Sequence, residues 1–219
     1  MKFIYSLVAI LAFTFAGFSQ KGVYVKYDTE IDASGEEGDM MVMMMNGSTM
    51  EVASSAEKTY TKAKIGTMMT MEMQMDISDN EMTMYMTGMM GQMAFKGNPD
   101  DMMEEGEEKP EEPEIELVDE TKVILGIKCM KAVIVDDEGN QSIFWYTEDF
   151  NRPKGMDQMP NGIPGLCLQF EVVNQGMTMR YTAVEFDDKA NMDDYKVVIP
   201  ADVDIQSLED MKNMGMGGM

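Results

Sequence analysis

Histidine is absent from this chain of 219 residues. It is the commonest general base near neutral pH and a frequent ligand of zinc and Cu(II). Its absence therefore excludes Ser-His and Cys-His catalysis and the usual histidine metal sites. Acidic residues are abundant, but none stands in a recognisable catalytic motif. We expect a protein that is not an enzyme.

Cysteine is nearly absent too. Cys129 and Cys167 are the only two, and they form no Cys-x-x-Cys redox or zinc motif. A cysteine pair in an exported protein usually forms a disulfide. The strand pattern, however, places the pair on two strands with a third between them, which is farther apart than a disulfide spans. The sequence leaves open whether the two are bridged.

Basic residues are scarce. The chain has 17 Lys and Arg against 40 Asp and Glu, which gives a net charge of −23 at pH 7. Nucleic acids and anionic membrane surfaces attract Lys and Arg, so we expect neither as a partner. Dispersed carboxylates are typical of a surface that keeps a protein soluble.

Long apolar runs occur only at the N-terminus. Residues 1–19 contain Lys2, the apolar stretch Phe3–Phe18 and the small residue Ser19. This order is typical of a secretory signal peptide cleaved before Gln20, and no cysteine lies near that site to carry a lipid anchor. No later stretch is long enough to cross a bilayer. We expect an exported protein, periplasmic or extracellular, that is neither a lipoprotein nor membrane-spanning.

Methionine, in contrast, occurs 30 times and alternates with polar residues through most of Met68–Met93. Successive side chains of a strand point to opposite faces, so the alternation predicts a β-hairpin with one thioether face and one polar face. Six residues define the predicted thioether face: Met71, Met73, Met75, Met82, Met84 and Met86. A two-residue turn at Asp79–Asn80 would pair Met82 with Ile77, Met84 with Met75, and Met86 with Met73.

Three interpretations of this face are open. Methionine can serve as an ordinary core residue, as the flexible wall of a site for varied hydrophobic ligands, or as a soft ligand for Cu(I). Our leading functional hypothesis is a non-enzymatic protein that binds a lipid or acyl chain on this face. The only tryptophan, Trp145, is expected to line the same surface.

The glycine-rich C-terminus carries a second group of methionines: Met211, Met214, Met216 and Met219. A glycine-rich chain gains little from packing, so these residues suggest an alternative function, Cu(I) binding or buffering of oxidants by reversible sulfoxide formation. A terminal helix that docks through its methionines would explain the same pattern. A structural or interaction module is a further alternative, and no cofactor other than Cu(I) is indicated.

Short runs of β-forming residues separated by turns predict a mainly β fold. We expect a curved antiparallel sheet with one or two short covering helices. The helices are predicted at Met40–Met45, capped by Asp39 and ended by Gly47, and at Asp204–Met211. Val123–Val135 is predicted as one long strand and Tyr195–Ile199 as the last strand.

One domain is expected in residues 20–200, followed by a helix and a tail rich in methionine and glycine in residues 201–219. Residues 98–114 interrupt the domain with three prolines and a dense acidic block. Like charges repel one another and proline cannot join a β-ladder, so this stretch is predicted as a solvated, disordered insertion.

Three segments carry a resemblance to a known family. They are TKVILGIKCMKA at Thr121–Ala132, WYTE at Trp145–Glu148 and GIPGLC at Gly162–Cys167. Together they resemble the GLPGLI-motif family of exported bacteroidete proteins, whose function is unknown, so the resemblance implies no reaction. At the level of fold it implies a half-barrel like the lipoprotein-localisation carriers, in which a curved sheet covered by helices holds acyl chains.

Overall fold

The structure, a computed structural model, describes residues 21–33, 36–89, 91–102, 114–135, 139, 141–150, 162–174 and 177–214. Most of these residues belong to one open, curved sheet of twelve strands, and there are two short α-helices. The predicted mainly β fold is thereby confirmed. None of the helices in the described ranges is long and apolar enough to cross a membrane.

The strands follow one another in chain order: β1 (Lys21–Ala33), β2 (Thr49–Ser54), β3 (Lys58–Ile65), β4 (Met69–Asp76), β5 (Glu81–Gly88), β6 (Gly91–Gly97), β7 (Ile115–Ile124), β8 (Ile127–Val135), β9 (Gln141–Thr147), β10 (Leu166–Asn174), β11 (Met177–Asn191) and β12 (Ile205–Ser207). Their spatial order is β12-β6-β5-β4-β3-β2-β1-β11-β10-β9-β8-β7. Neighbouring strands are antiparallel except β12, which pairs with β6 in parallel. The helices are α1 (Glu36–Met45) and α2 (Leu208–Asn213), with 3₁₀ turns at Pro99–Met102 and Met192–Asp194.

An aromatic core fills one half of the molecule, from β1 and β2 across to β7. Phe170 of β10 stacks on Tyr181 of β11 with ring centroids 4.6 Å apart, and Tyr27 of β1 meets Phe170 edge-on. The Tyr27 hydroxyl donates a hydrogen bond of 2.8 Å to the carbonyl of Cys167. Because β11 lies between β1 and β10, these contacts indicate that curvature brings non-neighbouring strands together here.

A methionine cluster forms the second apolar region, on β4, β5 and β6. Its buried members are Met84, Met86, Phe95, Leu208 and Met211, and packed around them are Met69, Met71, Met73, Met82, Met93 and Met102. Leu208 and Met211 belong to α2, so the C-terminal helix covers part of this face. The side-chain alternation of β4 and β5 therefore produces an apolar surface with one covering helix.

The C-terminal segment reaches this position by wrapping around the sheet. Tyr195 stacks on Tyr24 with ring centroids 5.0 Å apart, and the Val197 amide donates to the side-chain oxygen of Gln74. Gln74 alternates with the methionines of β4, so this segment crosses the opposite face. The predicted strand Tyr195–Ile199 is wrong, because its residues join no ladder.

The predicted single strand Val123–Val135 is also wrong. A two-residue turn at Leu125–Gly126 divides it into β7 and β8, and Ile124 pairs with Ile127. Both turn residues have positive φ, 52° and 80°, as a type I′ hairpin turn requires. Leucine rarely adopts this conformation, so the apolar sequence conceals the turn.

The helix α1 begins at Glu36, earlier than the predicted cap at Asp39, and ends before Gly47. It lies beside the end of β1, and its side chains point largely to solvent: Met40 is 66% and Met43 is 81% exposed. This helix, expected as one of the one or two covers, contacts β1 but leaves most of its methionines in solvent. Of the two helices, only α2 acts as a cover.

Two other expectations concern the cysteines and the acidic insertion. Cys129 and Cys167 lie on β8 and β10 with β9 between them, as predicted; both are buried and no disulfide joins them.

The start of the insertion is ordered, since Pro99–Met102 forms a 3₁₀ turn against α2 and Asn80 donates to the side chain of Asn98. Disorder is thus a wrong prediction for these residues, and residues 103–113 lie outside the described ranges.

We predict that Met84→Asp lowers the free energy of unfolding by about 3 kcal/mol or more, because it buries a carboxylate in an apolar cluster. Met84 is 5% exposed. The matched control is Met43→Asp, at a methionine that is 81% exposed, which should change stability little. Urea denaturation of both variants measures the difference, and equal losses would contradict burial of the methionine face.

Candidate hydrophobic binding site

The methionine segment forms the predicted β-hairpin of β4 and β5, but its turn is longer than predicted. Met75 pairs with Met82, Met73 with Met84, and Met71 with Met86. The predicted pairing is therefore wrong by two residues, because the turn contains four residues, 77–80, and Asn80 adopts a positive φ of 50°. Side-chain direction has a period of two, so a shift of two leaves every methionine on its predicted face.

This face continues onto the neighbouring strands. Opposite residues of an antiparallel pair lie on the same face. One row across the sheet is Ala63, Met71, Met86 and Met93, and the next is Thr61, Met73, Met84 and Phe95. We call this surface of β3–β6 the methionine face.

At one end of the methionine face, α2 excludes solvent. Leu208 is fully buried and Met211 is 3% exposed. A Cβ atom added at Gly97 would stand 3.6 Å from the Cβ of Leu208, so the first turn of α2 lies directly over the end of β6. The polar half of α2 remains in solvent, as the exposed Glu209 and Asp210 show.

At the opposite end, the methionine face contains a cavity of about 280 Å³. It is lined by Ile65, Met68, Met69, Met86, Thr87, Gly88, Met89, Gly91 and Met93. None of these residues is charged, and most of them lie in or beside the β3–β4 and β5–β6 turns. We call this space the methionine cavity. It can accept an apolar group without burying an unpaired charge.

The surroundings of the methionine cavity are also rich in exposed methionine. Met89, in the turn after β5, is 83% exposed. Ser48 links α1 to the turn before β4, since its hydroxyl donates to the Met45 carbonyl and accepts from the Gly66 amide. The C-terminal end of α1, with the exposed Met44, therefore lies beside the turn between Ile65 and Met68. Exposed apolar patches of this kind often mark binding sites.

Trp145 does not belong to this site. It lies on β9, and five strands separate β9 from β4 in the sheet. Lys122 and Lys131 approach its ring, with their Nζ atoms 5.6 and 5.9 Å from the ring centroid. The expectation that Trp145 lines the same surface as the hairpin methionines is therefore wrong.

The predicted Cu(I) ligands at the C-terminus have different environments. Met211 packs in the methionine cluster, as expected of a helix that docks through methionine, while Met214 is 51% exposed. Met216 and Met219 lie outside the described residues. In the described part of the chain, no group of three or more Asp, Glu or Cys side chains is arranged to hold a metal ion. A Cu(I) site at the four methionines stays a prediction.

Sequence reasoning found the methionines of β4 and β5 but missed Leu208, Phe95 and Ile65. Met93 and Phe95 are two residues apart on β6 and therefore lie on the same face. The period-two pattern could have assigned both to the methionine face. Leu208 contacts the end of β6, which is far away in sequence, so no local sequence pattern could predict this contact.

A capping box stabilises the N-terminus of α2. The Ser207 hydroxyl and backbone amide both donate to Asp210 Oδ2, at 2.6 and 3.1 Å, and the Asp210 amide donates to Ser207 Oγ at 3.0 Å. These bonds lower the pKa of the Asp210 carboxyl from its ordinary value, with the side-chain bond as the largest cause. The charged carboxylate thus stabilises the first turn of α2.

The sequence matches no profile of a known protein family, and no curated protein matches it. An uncharacterized conserved protein from Thermus thermophilus has a similar fold, with a TM-score of 0.50 at 9% identity over 87% of this chain and 91% of that one. Two structures of PNGF-II each give a TM-score of 0.45, the first at 15% identity over 90% of this chain and the second at 17% identity over 89%. The match spans only about a third of the PNGF-II chains, 32% and 33%. The likeness to the Thermus protein concerns the fold alone.

We predict that α2 loosens in acid. The folded-state pKa of Asp210 is lower than its unfolded-state value, so its contribution is complete above the unfolded-state pKa and is lost as pH falls through the folded-state pKa. Hydrogen-exchange protection of the α2 amides, corrected for intrinsic rates, should fall over that range. In Asp210→Asn the protection should not depend on pH there, and a wild-type protein without this fall would contradict the prediction.

Proposed function

We propose that this is a non-enzymatic protein that binds a hydrophobic ligand, a lipid or acyl chain, in the methionine cavity. The observation that carries the proposal is an uncharged cavity of about 280 Å³ at the end of the methionine face that α2 leaves uncovered. Ligand pockets usually measure about 300–1,000 Å³. This cavity is just below the lower limit of that range and suits a short chain or one end of a longer one.

The chemistry of the lining supports an apolar ligand without a fixed shape. Methionine is unbranched and polarizable, so a wall of Met68, Met69 and Met93 can adjust to different chains. Among the described lining residues, Thr87 alone has a polar side chain, so this part of the site offers little to orient a polar ligand. Burial of apolar surface would supply the affinity.

The place of action is part of the proposal. The apolar run in residues 1–19 supports export, and those residues lie outside the described ranges. The GLPGLI-type segments and the open, curved sheet support a relation to exported carriers of acyl chains. Under this proposal the acidic surface keeps the loaded protein soluble and away from anionic membrane surfaces.

We predict that filling the methionine cavity weakens ligand binding. Met69→Trp places a larger ring among the lining residues, and octanoate binding measured by equilibrium dialysis should weaken about tenfold or more. Met75→Trp is the matched control, because Met75 lies on the same strand and face but does not line the cavity. Equal binding by the two variants would place the ligand elsewhere, and a wild-type protein that binds no fatty acid would refute the proposal.

A second prediction separates an apolar ligand from Cu(I). Replacing Met71, Met73, Met75, Met82, Met84 and Met86 together by leucine keeps volume and hydrophobicity nearly constant, at under about 1.5 kcal/mol for each swap. A fatty acid should remain bound, because only Met86 of the six lines the methionine cavity and leucine keeps its hydrophobicity. Competition with a Cu(I) chelator tests the alternative: Cu(I) binding that disappears in this variant, while fatty acids never bind, would favour copper.

A further inference from the structure

The methionine cavity and α2 lie on one continuous surface. Met69, Met86 and Met93 both line the cavity and pack in the methionine cluster that Leu208 and Met211 complete. The cavity lies at the Gly91 end of β6, and Leu208 lies at the Gly97 end. A strand rises by about 3.4 Å per residue, so the two ends are about 20 Å apart.

The contacts of α2 are few. It has six residues, and an isolated helix of that length is not stable in water. Within the described residues it packs on β6, β12 and the 3₁₀ turn at Pro99–Met102, and β12 pairs with β6 over only three residues. Two apolar side chains, Leu208 and Met211, make its buried contacts.

The segment before α2 is anchored independently. Tyr195 packs between Tyr24 and Tyr60 on the opposite face, at centroid distances of 5.0 and 6.0 Å. Between this anchor and β12, residues 200–204 form no ladder, and most of them are exposed. The helix α2 can therefore leave the methionine face while the chain remains attached on the other side.

We infer that the site takes a long, single acyl chain, whose far portion replaces Leu208 and Met211 on the methionine face as α2 lifts. This inference rests on the proposed function and names its ligand class. The groups that α2 covers, Met84, Met86 and Phe95, are uncharged and apolar, so an alkyl chain can replace the helix without leaving a polar group unpaired. Each added methylene buries more apolar surface, and the longer chain competes better with the helix.

A disulfide lock tests this directly. The Cβ positions of residues 97 and 208 are 3.6 Å apart, within the range of about 3.5–4.5 Å that disulfides require. In the double variant Gly97→Cys/Leu208→Cys, oxidation should fix α2 on the methionine face and reduction should release it. Cys129 and Cys167 are buried, so a mild oxidant acts on the introduced pair. The single variant Leu208→Cys controls for the lost leucine.

Octanoate and palmitate are the two probes, each measured by equilibrium dialysis with the oxidised and reduced protein. We expect oxidation to weaken palmitate binding about tenfold or more and to leave octanoate binding unchanged, because only the longer chain needs the position of α2. Reduction should restore palmitate binding. Equal palmitate binding in both states, with octanoate bound, overturns the inference alone. Binding of neither probe by the wild-type protein overturns the proposed function as well.

A second variant tests the same point without a crosslink. Leu208→Ser/Met211→Ser removes the two buried contacts of α2 and leaves the methionine cavity intact. Palmitate affinity should rise about tenfold, since the helix no longer competes, while octanoate affinity stays the same. A fall in palmitate affinity would show that α2 holds the chain instead of yielding to it, and would overturn the inference.

Discussion

The structure depends on how one apolar surface of an open twelve-stranded sheet is kept from water. Such a sheet has no second layer of its own, and an uncovered apolar face is unfavourable. In the half that contains Tyr27 and Phe170, non-neighbouring strands approach and their aromatic side chains bury one another. In the other half, the only cover within the described residues is α2, so the methionine face is partly filled and the methionine cavity remains.

The two edges of the sheet are protected in different ways. Unpaired strand edges invite pairing with other chains. At one edge β12 lies against β6, although over only three residues. At the other edge β7 carries a bulge between Val118 and Thr121, and the Glu120 carboxylate within it pairs with Lys131. A bulge with acidic residues interrupts the ladder that an added strand would need.

Side-chain alternation was sufficient to predict most strands and the methionine face, because burial on one side of a strand imposes a period of two. Alternation could not set the register. If Met84 pairs with Met73 instead of Met75, every side chain still lies on the same face of the sheet. Nor could it reveal the Leu125–Gly126 turn, where leucine adopts a conformation it seldom takes. The cover depends on Leu208 reaching Gly97, and the methionine cavity depends on how the β3–β4 and β5–β6 turns lie side by side. The wrong placement of Trp145 has the same origin: sequence patterns give faces but not distances between strands.

Methionine is concentrated in the half of the face formed by β4–β6, although Met50 and Met130 belong to the aromatic half. This concentration has a physical reason. Where packing is fixed, branched and aromatic residues such as Val25, Tyr27 and Phe170 fill a core with few rotamers to lose. Methionine loses more side-chain entropy when it is ordered, so a face that packed only against α2 would be more stable with leucine. The same flexibility becomes useful if the surface must fit the helix at one time and an alkyl chain at another. The composition of β4 and β5 therefore supports the proposed exchange of α2 for an alkyl chain better than a permanent helix contact.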